Sequence, residues 1–204
     1  EGVMPLRDIA DARRIREASH EAEDVVVIGG GFIGLEIAAT LHAGGRRVTV
    51  VEAQPRVLGR GVAAIIASHV HKRLVETGVK VRTDIGIECI VGSDGHVTGV
   101  QLRDGETIPA RLVIVGIGVV PNVELAEAAG LAVTNGIKVD GTMRTSRDDI
   151  LAIGDCVNFH HWMTGSDVRL ESVQNATDQA RRAAKTILGH AGEYDAVPWF
   201  WSDI

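Results

Sequence analysis

An α/β fold, a parallel sheet flanked by helices with an antiparallel meander attached, is what the sequence predicts, on three observations. Short apolar runs at residues 24–28, 48–51 and 112–115 have the near-continuous hydrophobic character of strands buried on both faces. The first two are joined by a helical stretch, giving a strand–helix–strand unit of about 30 residues. Between residues 85 and 108 the pattern changes to short segments broken by Asp94-Gly95 and Asp104-Gly105, dipeptides that favour tight hairpin turns.

The elements follow in order. Residues 8–18 place Ile9, Ala12, Ile15 and Ala18 at helical spacing among Arg13, Arg14, Arg16 and Glu17, which predicts an amphipathic helix. After strand 24–28, a helix from about residue 31 to 43 is expected to bury Ile33, Ile37 and Leu41. It should stop at Gly44-Gly45, where glycine suits the left-handed position after a helix. Strand 48–51 ends at Glu52, helix 62–76 closes at Gly78, and strand 79–82 leads into meander strands 85–91, 97–102 and 106–108. Strand 112–115 runs into Gly116 and Gly118 before Pro121. A short helix at 124–129, strands at 137–139 and 150–153, and a long helix at 175–188 precede an aromatic tail.

Composition removes several function classes. A net charge of −6, spread without a long block of one sign, argues against a nucleic-acid binder and against a disordered acidic tail. Hydrophobic residues make up 45% of the chain, enough for a substantial core. Cys89 and Cys156 build neither a disulfide framework nor a Cys-x-x-Cys pair, so a reducing, cytoplasmic setting is expected. The most apolar run, residues 25–41, is shorter than the ~20 residues of a membrane span and carries glycines and Glu36. The opening Glu1-Gly2-Val3 shows no signal-peptide pattern. Phe32 is the only aromatic residue before Phe159; Trp162, Tyr194, Trp199, Phe200 and Trp201 also lie late, so the two halves suit different surroundings.

The chemistry is concentrated at Gly29-Gly30-Gly31-Phe32-Ile33-Gly34, a G-x-G-x-x-G between strand and helix, with Glu52 ending the next strand. Gly29 permits the tight turn, Gly31 lets backbone approach a pyrophosphate, and Gly34 lets helix and strand pack closely. The phosphates would sit on the helix N-terminus, where free amides and the helix dipole favour negative charge. This pattern predicts a Rossmann-like dinucleotide site; the competing reading, a glycine turn that binds nothing, does not account for strand, helix and terminal acid together. Glu36 is either a functional acid among apolar neighbours or an exposed acid favoured by the dipole. Asp155 could hold a ribose or ribityl hydroxyl, or cap a turn. Cys156, His160 and His161 match no usual zinc spacing, and His69 and His71, two apart on a helix, diverge.

Five stretches carry a resemblance: Leu6-Arg7 with Asp11-Ala12; residues 25–36; residues 116–122; residues 150–156; and residues 169–175 with 198–203. On these the chain resembles the FAD-dependent pyridine nucleotide oxidoreductases, most of all the ferredoxin reductases that serve cytochrome P450 and aromatic-ring oxygenase systems. The resemblance implies an NAD-binding domain, residues 24–121, inserted in an FAD-binding domain. Only the returning half of that domain, residues 122–190, would be present. Residues 1–23 would connect from the FAD domain, and residues 191–204 would begin a C-terminal interface domain. The glycine fingerprint for the ADP part of FAD would precede this segment, as would any redox-active cysteine pair.

The same resemblance implies roles. Gly29, Gly31, Phe32, Ile33 and Gly34 would line NAD, Glu52 would hold the adenosine ribose, Arg60 would lie near the nucleotide, and Gly116 would pass the nicotinamide side. Glu36 would be the active-site acid at the nicotinamide–flavin junction, pairing with a lysine outside these residues. Arg7, Asp155 and Val173 would touch FAD. The implied activity takes hydride from NADH onto FAD and passes single electrons to a small ferredoxin-type iron–sulfur protein, with no nucleic acid and no membrane involved. The alternatives are an NADH oxidase or disulfide reductase of the same superfamily, or an NAD(H)-binding redox sensor.

Overall fold

The computed structural model describes residues 1–59 and 61–204. They form two compact units, Glu1–Gly118 with Ser202–Ile204, and Val119–Trp201. The first contains β1 (Val3–Pro5), α1 (Ile9–Glu21), β2 (Asp24–Ile28), α2 (Phe32–Ala43), β3 (Arg47–Val51), α3 (Ala64–Thr77), β4 (Lys80–Arg82), β5 (Ile87–Ser93), β6 (His96–Leu102), β7 (Thr107–Pro109) and β8 (Leu112–Val115). Five of these strands make a parallel sheet in the order β1-β8-β2-β3-β4, and β5-β6-β7 make the antiparallel meander.

The unbroken apolar character of β2 has a direct cause. Successive strand residues point to opposite faces: Val25 and Val27 join a core with Leu35, Ala38 and Leu41 of α2, while Val26 joins one with Val97, Val100 and Leu102 of β6. Helices therefore cover one face of the sheet and the meander covers the other. The hairpin between β5 and β6 turns at Asp94 and Gly95, both at positive φ (51° and 80°), as an Asp-Gly two-residue turn requires.

One expectation needs correction here. Ile33 is 48% exposed, and the buried face of α2 is carried by Leu35, Ile37, Ala38 and Leu41. Gly34 must face the sheet for the close approach described below, and that rotation turns the preceding residue outward. Residues 1–23 supply the sheet's edge strand, Val3–Pro5 paired in parallel with Val113–Val115, together with α1.

The second unit holds α4 (Glu124–Ala128), β9 (Val133–Thr134), β10 (Gly136–Val139), β11 (Val157–His161), β12 (Ser166–Val168) and α5 (Val173–Ile187). Its sheet has the order β12-β11-β10-β9, parallel only between β10 and β11. Val139, Met143, Val157, Phe159, Ala183 and Tyr194 form its core. Residues 150–153 are not the strand expected; Leu151 makes a single bridge with Arg144, and the strand is Val157–His161. That strand escapes a hydropathy reading because Asn158 and His161 are buried within it.

Candidate functional site

The β2–α2 loop is shaped by backbone packed against backbone. Gly29 has φ +108°, and a Cβ there would lie 2.3 Å from the Gly116 carbonyl oxygen. A Cβ on Gly34 would lie 2.2 Å from the Gly29 carbonyl oxygen. The Gly116 amide donates to the Ile28 carbonyl at 2.8 Å, tying the end of β8 to the end of β2. Gly29, Gly34 and Gly116 thus meet at one point, where Gly29 and Gly34 have no room for a side chain and a Cβ on Gly116 would make only ordinary contacts, the nearest at 3.6 Å. Gly31 differs: a Cβ there would meet nothing within 4 Å, so this glycine keeps space open above the loop. It is the N-cap of α2, without a side-chain cap and with no acid in the first turn. The positive end of the helix therefore faces that space, a suitable place for a phosphate. Phe32 packs partly against the helix-side core, while Ile33 is exposed at the start of the helix.

Glu52 closes onto the same loop. Its Oε2 accepts from the Gly30 amide at 2.7 Å and its Oε1 from the Gln54 amide at 2.7 Å. The Leu58 amide donates to the Gly30 carbonyl at 2.8 Å, so Gly30 is pinned at both ends. Each carboxylate oxygen keeps lone-pair capacity for another donor. Beside Glu52 lies a hollow of about 270 Å³ lined by Gln54, Pro55, Arg56 and Gly59. The Arg56 guanidinium donates to the Gly59 carbonyl at 2.9 Å and the Val62 carbonyl at 3.1 Å, which commits it to holding the loop. Arg60 lies outside the described residues.

Glu36 is half-buried on α2, between Leu35 and Ile37. Its Oε1 accepts from the Ser202 hydroxyl at 2.5 Å and from the Asp203 amide at 3.3 Å. It is therefore not a solvated first-turn acid, and its partners are neutral donors.

In the second unit, Asp155 and Val173 come together in one open depression of about 680 Å³, with Glu171, Ser172, Ala176, Thr177 and Ala180. Asp155 follows Gly154 (φ +84°) in a turn that precedes β11 rather than ending a strand at 150–153. Two buried amides of α5 hold the walls. Gln179 Oε1 accepts from the Gly154 amide at 2.7 Å, and Asn175 Nδ2 donates to the Leu170 carbonyl at 3.1 Å while its Oδ1 accepts from the Tyr194 hydroxyl at 3.0 Å.

Arg7 belongs to the first unit and is exposed just before α1. Its amide donates to Asp11 Oδ2 at 2.8 Å, within a capping box formed by Asp8 and Asp11. The Arg14 guanidinium, and then the Arg7 amide, hold the Asp11 carboxyl below the usual carboxylate range. A lowered native pKa gives stabilisation that is complete above the unfolded value of about 4 and is lost as pH falls through the native one. Asp11→Asn should accordingly flatten the acid limb of stability, measured by urea unfolding at a series of pH values. A wild-type acid limb in that variant would remove Asp11 from the explanation. Among the described residues no group of His, Cys, Asp and Glu is arranged to hold a metal ion.

Residues 1–180 match the family model described as pyridine nucleotide-disulphide oxidoreductase. The chain belongs to that family. It is 45% identical over 203 residues to a rubredoxin-NAD(+) reductase of Pseudomonas putida, covering all of this chain and 53% of the relative. It is 44% identical over 204 residues to the putidaredoxin reductase of Pseudomonas putida, covering 97% of this chain and 47% of the relative. The ferredoxin reductase for the CYP199A2 system of Rhodopseudomonas palustris superposes with a TM-score of 0.94 at 48% identity, over 98% of this chain and 50% of that one. The chain spans about half the length of the curated relatives it matches.

For a pyridine nucleotide-disulphide oxidoreductase, sequence reasoning located the glycine loop and its acid but missed three participants. Gly30, an unspecified position in the motif, supplies the amide that orients Glu52. Gln54 contributes through its backbone, which carries no residue-type signal. Ser202 lies 166 residues from Glu36 along the chain, beyond the reach of any local pattern.

Proposed function

We propose that the chain supplies the NAD-binding domain, residues 24–121, and the returning half of the FAD-binding domain, residues 122–190, of an NADH-dependent flavoprotein reductase. Residues 191–204 begin its C-terminal interface domain. The reductase serves a small iron–sulfur protein of a cytochrome P450 or aromatic-ring oxygenase system. The observation that carries this reading is the glycine loop closed onto Glu52 through the 2.7 Å bond from Gly30, beside an uncapped helix terminus. The names of the relatives, rubredoxin and putidaredoxin reductases, support the electron acceptor.

Bound NADH and FAD supply the hydride chemistry and the conversion of two-electron to one-electron transfer. The protein's own part is to hold and orient. Gly29, Gly31, Phe32, Ile33 and Gly34 with the α2 terminus take the pyrophosphate, Glu52 accepts from ribose hydroxyls, and Arg60 and Gly116 flank the nucleotide. Glu36 holds a negative charge at the nicotinamide–flavin junction, and Arg7, Asp155 and Val173 contact FAD. No described helix is long and apolar enough to cross a membrane, and the reading places the protein in the cytoplasm.

The test is rapid reduction of a ferredoxin by the full-length protein with NADH. Flavin reduction followed only by transfer to oxygen or to a disulfide would assign an oxidase or disulfide reductase. A stable charge-transfer complex that reduces nothing would assign a sensor. In the same protein, Glu36→Gln should slow flavin reduction by at least ~10-fold with an unchanged melting temperature; unaltered kinetics would leave Glu36 a structural residue. A polypeptide confined to these 204 residues, with one glycine fingerprint, should purify colourless. Stoichiometric flavin absorbance in that polypeptide would show that its single fingerprint suffices for FAD.

A further inference from the structure

Glu36 sits in an unusual electrostatic position. A half-buried carboxylate on an apolar helix ordinarily finds a cation or pays for desolvation. Among the described residues Glu36 forms no ion pair. Its hydrogen-bond donors are the hydroxyl of Ser202 at 2.5 Å and the amide of Asp203 at 3.3 Å. Both converge on Oε1, and Oε2 has no hydrogen-bond partner among the described residues. Ser202–Ile204 belong to the same compact unit as α2, although the residues before them, Val119–Trp201, belong to the other. The chain thus returns to its first unit at the residue that meets Glu36.

We propose that Ser202 is a positioning residue for Glu36, fixing its carboxylate by a short hydroxyl bond that leaves the charge intact and Oε2 open. The proposal rests on the assignment of Glu36 to the nicotinamide side. The choice of donor matters for that role. A lysine or arginine in Ser202's place would itself pair with the carboxylate, whereas a hydroxyl and an amide orient it through Oε1 and leave Oε2 for another partner. Hydrogen bonds to an ionised acceptor are short and among the stronger ones, so this contact can select one rotamer of a flexible side chain. It also links the site to the segment directly after Trp199-Phe200-Trp201, so order in that segment and order at Glu36 depend on each other.

The experiment uses the full-length flavoprotein and two readouts. The first is hydrogen–deuterium exchange of the peptide containing Trp201, Ser202 and Asp203. Glu36→Gln and Ser202→Ala should each speed exchange there by at least ~3-fold, because the Asp203 amide loses a charged acceptor or its held geometry. The second is stopped-flow reduction by NADH. Ser202→Ala should lower the limiting rate about 10-fold, the size of a lost hydrogen bond to a charged group, with NADH affinity within about twofold. Ser202→Thr should restore the rate, and Ser202→Ala should add nothing in a Glu36→Gln background. If Glu36→Gln is slow but Ser202→Ala is normal in rate and exchange, the positioning role fails and the assignment of Glu36 stands. If neither variant is slow, the assignment of Glu36 fails as well. An equal loss from Ser202→Ala in both backgrounds would place its effect elsewhere and overturn the proposal.

Discussion

Gly34→Ala is expected to destabilise the protein by about 3 kcal/mol or more, whereas Gly31→Ala, three residues away, should leave stability within about 1 kcal/mol and weaken NAD(H) binding at least ~10-fold. The difference lies in what each new methyl group meets. At position 34 it would lie 2.2 Å from the Gly29 carbonyl oxygen, and Gly29 cannot retreat because its own Cα faces the Gly116 carbonyl. Backbone on three elements would have to move together, which places the cost at the high end of overpacking. At position 31 the methyl group meets no protein atom within 4 Å, and the residue's φ of −80° is ordinary for alanine. Alanine is a poorer N-cap than glycine, but it also reduces the freedom of the unfolded chain, and the two effects are of similar size. What the methyl group does occupy is the space above the helix terminus. Denaturant midpoints and calorimetric titration with NAD+ check both halves. Normal affinity in Gly31→Ala would mean that the pyrophosphate does not approach there, and a fully stable Gly34→Ala would contradict the close packing.

The second large effect concerns cofactor choice. The full-length protein should prefer NADH to NADPH by at least ~10-fold in kcat/KM, and Glu52→Ala should narrow or reverse that preference. A 2′-phosphate about 4 Å from the Glu52 carboxylate would meet repulsion of about 4 kcal/mol at an effective dielectric of 20, before salt and relaxation reduce it. Glu52 cannot easily turn away, because both its oxygens are held by backbone amides at 2.7 Å. Arg56 could otherwise attract the phosphate, since a guanidinium grips phosphates well. Its contacts with the Gly59 and Val62 carbonyls engage it within the loop instead. A wild-type enzyme that favours NADPH would show that cations in this loop outweigh Glu52.

The first unit was legible in the sequence because its determinants are local. The run at β2 is apolar throughout since both faces are covered, and Asp94-Gly95 announces its turn by residue type. Reading failed where burial and polarity part company. β11 contains a buried asparagine and histidine, so it lacks the hydrophobic signal that residues 150–153 display without forming a strand. Ile33 looked like core because it is apolar, yet the contact Gly34 makes with Gly29 sets the rotation of the helix and turns Ile33 to the surface. In the candidate site, the glycines and Glu52 could be found from spacing, while Ser202 could not, since nothing in a sequence pattern links positions so far apart.

The strand order β1-β8-β2-β3-β4 has a consequence for how the protein comes into being. β8, the last of the five to be synthesised, lies between the first two, so β1 has no neighbour in the sheet until residues 112–115 arrive. The β2–α2–β3 unit can assemble early from contacts close in sequence, but pairing across the long intervening segment is entropically slow. The floor of the nucleotide loop is completed by Gly116, which arrives later still. A nascent chain that has exposed only the glycine motif and Glu52 therefore carries the recognisable signature of the site without the site, and nucleotide can favour the folded state only once β8 has been inserted.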